Sequence, residues 1–240
     1  MAQKISTIEA SYDESLSISN KVLKKLKSAY KKADILAYSG VKRIIDIIGG
    51  LVGVILLVPI IAIIKIATLM QGDKYPIIFS QNRIGKDGKE FKFYKFRSMK
   101  PNADALLDEL LKSDPEKAEE YRINKKLKDD PRITKIGKFI RKTSIDELPQ
   151  LINVLKGDMS LVGNRPYLPR EKEDMGEYFK KIVSTKPGIT GYWQVSGRSD
   201  VSFQKRLELE KYYSENFSLD LDAKILFKTI GAVLGSKGAK

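Results

Sequence analysis

Between Ile47 and Ile64 the chain runs for 18 residues without a charge, bounded by Lys42, Arg43 and Asp46 before and Lys65 after. A stretch this long and apolar restricts the fold to a membrane-embedded helix or an unusually buried one. As a helix it reaches ~27 Å, barely the thickness of a hydrocarbon core. Pro59 lies inside it. A proline there deletes the bond to the carbonyl of Ile55 and clashes with it, which predicts a kink or break near Val58. Basic residues flank both ends: Lys25, Lys27, Lys31, Lys32, Lys42 and Arg43 on one side, Lys65, Lys74 and Arg83 on the other. A spanning helix would place the N-terminus in the cytoplasm and export the large basic remainder. A re-entrant helix that breaks at Pro59 keeps both basic flanks in the cytoplasm, and is the expected topology ahead of a spanning or a buried soluble helix.

The chemistry available is limited by composition. Among 240 residues there are 44 Lys plus Arg against 30 Asp plus Glu, a formal charge of +14, and neither His nor Cys. That excludes an imidazole base, a thiolate nucleophile, a disulfide and a His/Cys metal site. Carboxylates, hydroxyls, Lys and Arg remain. The basic excess points to acidic company: nucleic acid, anionic lipid or phosphorylated small molecules. With 42% hydrophobic residues the chain is too apolar to be disordered. Lack of Cys fits a reducing compartment.

Residues 1–40 read as a basic arm, Ser-rich and then lysine-heavy, and not as a signal peptide, because the apolar run starts too late. Residues 41–240 read as one domain of α+β class. Ile77 to Ser80 and Phe91 to Phe96 are short strands, with a turn at Gly85 to Gly88, predicting a β-hairpin. Residues 101–128 form a charged, helix-favouring insertion interrupted at Ser113-Asp114-Pro115. A helix is expected from about Asp146 to Leu155. Two amphipathic helices follow between Phe203 and Gly235, the second with a broad apolar stripe suited to a core or to a membrane interface.

Ser144-Ile145-Asp146-Glu147 has the form of a capping box. Ser144 as cap would put Pro149 fifth in the helix, where its missing N–H is needed; Asp146 as cap fits better. At a helix start Asp146 should stay ionised, and an ionised carboxylate attacks phosphorus without a general base. Lys95, Arg97, Arg141, Lys142, Arg165 and Arg198 lie in four separate segments and could converge on a diphosphate, although each alone reads more readily as an ordinary surface charge. Asp158 could hold the water shell of a divalent cation, or be a turn residue after Gly157. Lys186 to Arg198 combines three glycines with the only Trp, a loop for close ligand approach and ring stacking, or one anchored structurally by Trp193.

Taken together, these segments resemble the bacterial sugar transferases, monotopic phosphoglycosyl transferases that move a sugar 1-phosphate from a UDP-sugar onto undecaprenyl phosphate. The resemblance rests on Phe93 to Met99, Asp130 to Gly137, Arg141 to Leu151, Asn153 to Gly163 and Lys186 to Arg198, and covers roughly Val41 to Gly235. The insertion looks most like the galactose and glucose phosphotransferase branch. The resemblance implies that Asp146 is the nucleophile, forming a phosphosugar-aspartyl intermediate with release of UMP. It further implies that Glu147 assists at a Mg²⁺ site and that Lys95, Arg141 and Arg165 hold phosphate groups; the residues themselves add Asp146 and Asp158 as candidate metal ligands and Arg97 and Arg198 as candidate phosphate contacts. It equates residues 44–70 with the family's re-entrant helix, broken at Pro59, which places the protein at the cytoplasmic face of the cell membrane among its lipids. Two positions depart from the family pattern: Asn164 replaces a Pro before the Arg, and Val58 stands where Ser is frequent. A homodimer is left open. Nucleic acid is not an expected partner, because the basic residues are interleaved with acids and no binding motif occurs. The competing account is a non-catalytic scaffold reading anionic membrane through its basic face.

Overall fold

The computed structural model describes residues 2–124, 127–197 and 201–234, with side-chain surroundings from residue 33 onward. The chain divides into two units, Met1–Ile45 and Asp46–Lys240. The first belongs entirely to helix α1 (Ala2–Met70); within it the Ser39 hydroxyl donates to the Ile35 carbonyl and the Lys42 ammonium sits over the Tyr38 ring.

The second unit begins with the apolar half of α1, which packs on the rest of the unit along a single stripe. Asp46, Gly50, Leu57, Ile64 and Thr68 are buried, a spacing of three to four residues or its multiples, whereas Ile48, Leu51, Val52, Ile55, Leu56 and Val58 are exposed. At one end the Asp46 Oδ1 accepts from both the Ser160 hydroxyl (2.9 Å) and the Leu161 amide (2.8 Å). Next along the stripe, a Cβ on Gly50 or Gly53 would lie 2.7 Å from a methyl of Leu155 or Leu151, so a larger residue at either position would make that leucine side chain shift. Farther on, Leu57 and Ile64 join Phe96 and Ile140 in one apolar cluster.

The chain stays helical through Pro59, where the sequence predicts a kink or break near Val58. Packing explains the continuity: Leu57 before the proline and Ile60, Ile61 and Ile64 after it all enter the same cluster. Burying two large aliphatic side chains contributes ~3–6 kcal/mol, enough to offset the ~3 kcal/mol an interior proline costs.

Strands β1 (Ile78–Ile84) and β2 (Glu90–Phe96) form the expected hairpin, β1 longer than predicted. Helices α2 (Ala103–Ser113) and α3 (Pro115–Asn124) make the insertion, divided at Asp114 as the sequence suggests. Helix α4 (Lys135–Lys142) is capped by Thr134, whose hydroxyl accepts from the Gly137 amide. The helix expected from Asp146 begins later. Ile145–Glu147 is a 3-10 turn, and α5 runs Gln150–Lys156 after Pro149. Ser144 is left-handed (φ 57°) and makes no capping bond, so neither capping account describes this corner.

A two-stranded parallel sheet, β3 (Ser160–Val162) with β4 (Gly188–Thr190), has no counterpart in the sequence reading. Between these strands lies the short helix α6 (Phe179–Ile182); α7 (Tyr192–Ser196), α8 (Phe203–Asn216) and α9 (Leu219–Leu234) follow. The stripe on α9 divides: Leu221, Ile225 and Leu226 pack with Val162 and Tyr213, while Phe227 and Ile230 face outward.

Candidate active site

The hairpin register puts Lys95 opposite Phe79 and Arg83 opposite Phe91, so both cations share one face of the sheet. Helix α5 is locked to β2 by Asn153, fully buried, which accepts from the Tyr94 amide and donates to the Lys92 carbonyl at 2.6 Å. That lock sets the position of the 3-10 turn just upstream. Ile145 and Leu148 on either side of the turn sink into the cluster of Phe96 and Ile140. Asp146 and Glu147 are thereby held half-buried between β2 and the end of α4, which carries Arg141.

Burial pushes the Asp146 carboxyl above the usual carboxylate range, and the charges of Lys95 and Arg141 pull it back. The Glu147 carboxyl is pushed up by burial and then by Asp146, against the pull of Arg165, Lys95 and Arg83. Ionisation of Asp146 is therefore supported by cations across the site and not, as the sequence suggests, by the start of an α-helix. Lys95 is pushed down to about 8 by burial and by Arg141. Among the described residues, none of Lys95, Arg141, Asp146, Glu147 and Arg165 gives its side chain a hydrogen bond or an ion pair with another residue. Five charged groups thus face one another at electrostatic range without closing into salt bridges, an arrangement suited to receiving a charged ligand.

Arg165 follows β3 on a loop held by its own neighbours. Its amide donates to Glu210 Oε1 (3.0 Å), and Tyr167 donates its hydroxyl to Glu210 Oε2 (2.7 Å). Asn164, the departure from the family's proline, is buried and donates to the Ile182 carbonyl and the Ser214 hydroxyl. An amide fixes this loop where a proline would have stiffened it.

Two expected site residues are placed differently. Arg97 donates to Asp73 (2.9 Å to each carboxylate oxygen) and to the carbonyls of Pro76 and Met99, a clamp between the end of β2 and the segment after α1. Asp158 lies near Asn153 Nδ2 (3.4 Å) and Lys156 Nζ (4.0 Å), within the lock and apart from the acidic pair. No group of three or more acidic side chains suited to a metal is found among the described residues. Asp146 and Glu147 still fit Mg²⁺, which takes one or two carboxylates and completes its shell with phosphate oxygens and water. Arg198 lies outside the described residues.

Arg83 lies within electrostatic range of Lys95 and Glu147 and was not anticipated as a site residue. Arg83 donates to the Pro166 carbonyl (3.0 Å), lies over the Phe93 ring and is pushed down to about 10 by burial and by Arg165. Its position on an alternating strand, four register pairs from Lys95 and on the same face, was the available signal.

The profile of the family described as bacterial sugar transferase matches residues 37–236. The undecaprenyl-phosphate galactose phosphotransferase of Salmonella typhimurium is 46% identical over 198 residues, covering 82% of this chain and 41% of that protein. The exopolysaccharide production protein ExoY of Sinorhizobium fredii is 41% identical over 198 residues, 82% of this chain and 87% of its own. The UDP-N-acetylgalactosamine-undecaprenyl-phosphate N-acetylgalactosaminephosphotransferase of Aeromonas hydrophila is 36% identical over 210 residues, 85% and 46% of the two chains. The chain spans less than half the length of several curated relatives it matches. A match across so much of the sequence, containing the acidic pair and its surrounding cations, shows that the chain belongs to the bacterial sugar transferase family.

Proposed function

We propose that this chain transfers a sugar 1-phosphate from a UDP-sugar to undecaprenyl phosphate, the first membrane step in assembling an exopolysaccharide, capsule or O-antigen type glycan. The observation that carries the reading is Asp146: a half-buried carboxylate flanked by Lys95 and Arg141, paired with no described side chain, in a protein without histidine. An Asp146 oxygen attacks the sugar-bearing phosphorus, the bond from that phosphorus to the bridging oxygen breaks, and the electron pair leaves with UMP. The product is a phosphosugar-aspartyl acyl phosphate. An oxygen of undecaprenyl phosphate then attacks the same phosphorus, expels the Asp146 carboxylate and yields the lipid diphosphate sugar. Lys95, Arg141 and Arg165 neutralise the phosphoryl oxygens. Asp146 and Glu147 would hold Mg²⁺, which would supply positive charge against the phosphoryl oxygens and the leaving UMP. Burial favours attack by removing water from the carboxylate.

The packing of α1 supports a monotopic placement at the cytoplasmic face. This helix, within Ala33–Met70, is long and apolar enough to cross a membrane, yet from Asp46 to Ile64 one face is attached to the catalytic unit. A helix attached along that length cannot cross a bilayer without dragging polar structure after it, whereas its exposed face can enter one leaflet. Pro59, which has no backbone donor, is the place at which a re-entrant helix would turn.

Relatives named for galactose and for N-acetylgalactosamine resemble the chain, so the hexose is assigned by experiment. UMP release is measured from a panel of UDP-hexoses and UDP-N-acetylhexosamines with undecaprenyl phosphate and Mg²⁺. One donor should be preferred, Asp146→Asn should abolish release, and turnover retained in that variant would remove Asp146 from its role.

A further inference from the structure

Beyond the acidic pair, the described side chains contain a second group of donors lacking acceptors. Arg206 of α8 lies 4.5 Å above the centre of the Trp193 ring and, among the described residues, makes no ion pair and no side-chain hydrogen bond. Its Nε is buried without an acceptor among the described residues; the same holds for Arg165 Nε and for the indole N–H of Trp193, a residue only 9% exposed. A buried donor left unpaired is costly, so three in one neighbourhood need a reason. Burial and repulsion from Arg165 both act against the charge of Arg206, and the nearby Glu210 spends its oxygens on the Arg165 amide and the Tyr167 hydroxyl. An oxyanion drawn to this pair of arginines would offer an acceptor to such donors and relieve the repulsion.

Arg165 joins this group to the reaction site, because it is electrostatically coupled to Glu147 on one side and to Arg206 on the other. Accepting the proposed reaction, on which this inference rests, the geometry of displacement at phosphorus identifies the occupant. Attack by Asp146 expels UMP from the opposite side; attack by undecaprenyl phosphate must then come from that same side to expel Asp146. A phosphate monoester therefore stands at one place in both halves of the reaction, first as leaving group and then as nucleophile. We propose that Arg206, stacked on Trp193 beside Arg165, is the subsite for this monoester, shared in turn by the departing nucleotide and the acceptor lipid.

Trp193 is the only tryptophan and reports on its own site. In the full chain carrying Asp146→Asn, which stops turnover, Trp193 emission is titrated with UMP, with inorganic phosphate and with undecaprenyl phosphate in detergent. All three should change the emission saturably, and UMP and the lipid should displace each other. Arg206→Gln should weaken each by about tenfold or more, and Arg206→Lys, which keeps the charge but loses the planar fork, by less. A silent Trp193, or unchanged affinities in both variants, overturns the subsite; a response to UMP that the lipid fails to displace overturns the sharing. No turnover is needed. Silence in a chain that still releases UMP therefore overturns only this inference, and a saturable response in a chain that transfers nothing overturns only the proposed reaction.

Discussion

Replacing Glu210 by Gln should alter how the stability of the protein depends on pH. Glu210 is fully buried on α8, accepting from the Arg165 amide at 3.0 Å and the Tyr167 hydroxyl at 2.7 Å. Burial pushes its carboxyl up to about 7 from 4.5, against the pull of those hydrogen bonds and of Arg165 and Arg206. Between these two values the native protein holds a proton that the unfolded chain has released, so stability falls as pH rises. The whole displacement is worth about 3 kcal/mol, absent below about pH 4.5 and fully expressed above about pH 7. Gln keeps the size and one acceptor but cannot ionise. It forfeits about 1 kcal/mol by satisfying only one of the two donors well, at every pH. Relative to Glu210→Gln, the wild type should therefore lose ground with rising pH. For a chain of this length that amounts to a relative fall in Tm of about 6–12 °C. Asp146 and Glu147 are also pushed up, but they titrate in both proteins and cancel in the difference. Thermal unfolding of both chains in one detergent, followed by circular dichroism from pH 5 to 8, makes the comparison. Parallel curves, or a wild type that gains on the variant as pH rises, would refute the reasoning by showing that Arg165 and Arg206 hold Glu210 ionised.

Lys95 supplies positive charge to the phosphoryl oxygens only while protonated, and it is pushed down to about 8. The rate of UMP release should fall as pH rises through about 8, and Lys95→Arg should carry that limb to higher pH; an unchanged pH profile in the variant would show that Lys95 does not set it. Asp46→Ala strands the Ser160 hydroxyl and the Leu161 amide, both of which donate to a single carboxylate oxygen. It should cost about 2–5 kcal/mol by thermal unfolding, while Asp46→Asn, which retains that oxygen, should cost about 1 kcal/mol.

Local patterns made much of this protein legible. The hairpin, the insertion helices and the two C-terminal helices follow from alternation, helical spacing and the break at Asp114. Asp146 and Glu147 stood out locally as an acidic pair at an expected helix start, and their role came from the resemblance to the bacterial sugar transferases, with which the absence of His and Cys agrees. The arginines were harder to separate, since what distinguishes them is decided far along the chain. Arg97 and Arg165 read alike, each a cation in a strand or loop setting. Asp73, 24 residues earlier, consumes Arg97, whereas Glu210, 45 residues later, takes only the backbone amide of Arg165 and leaves its guanidinium unpaired. Arg83 read as a flanking charge of the membrane segment and Asp46 as its boundary, yet one faces the reaction site and the other fastens the segment to it. The parallel pairing of Ser160 with Gly188 was equally hidden, because neither three-residue strand has an alternation long enough to read. In each case residue type fixes what a side chain can do, while the distant partner that takes or spares its hydrogen bonds decides whether it remains free to meet a substrate.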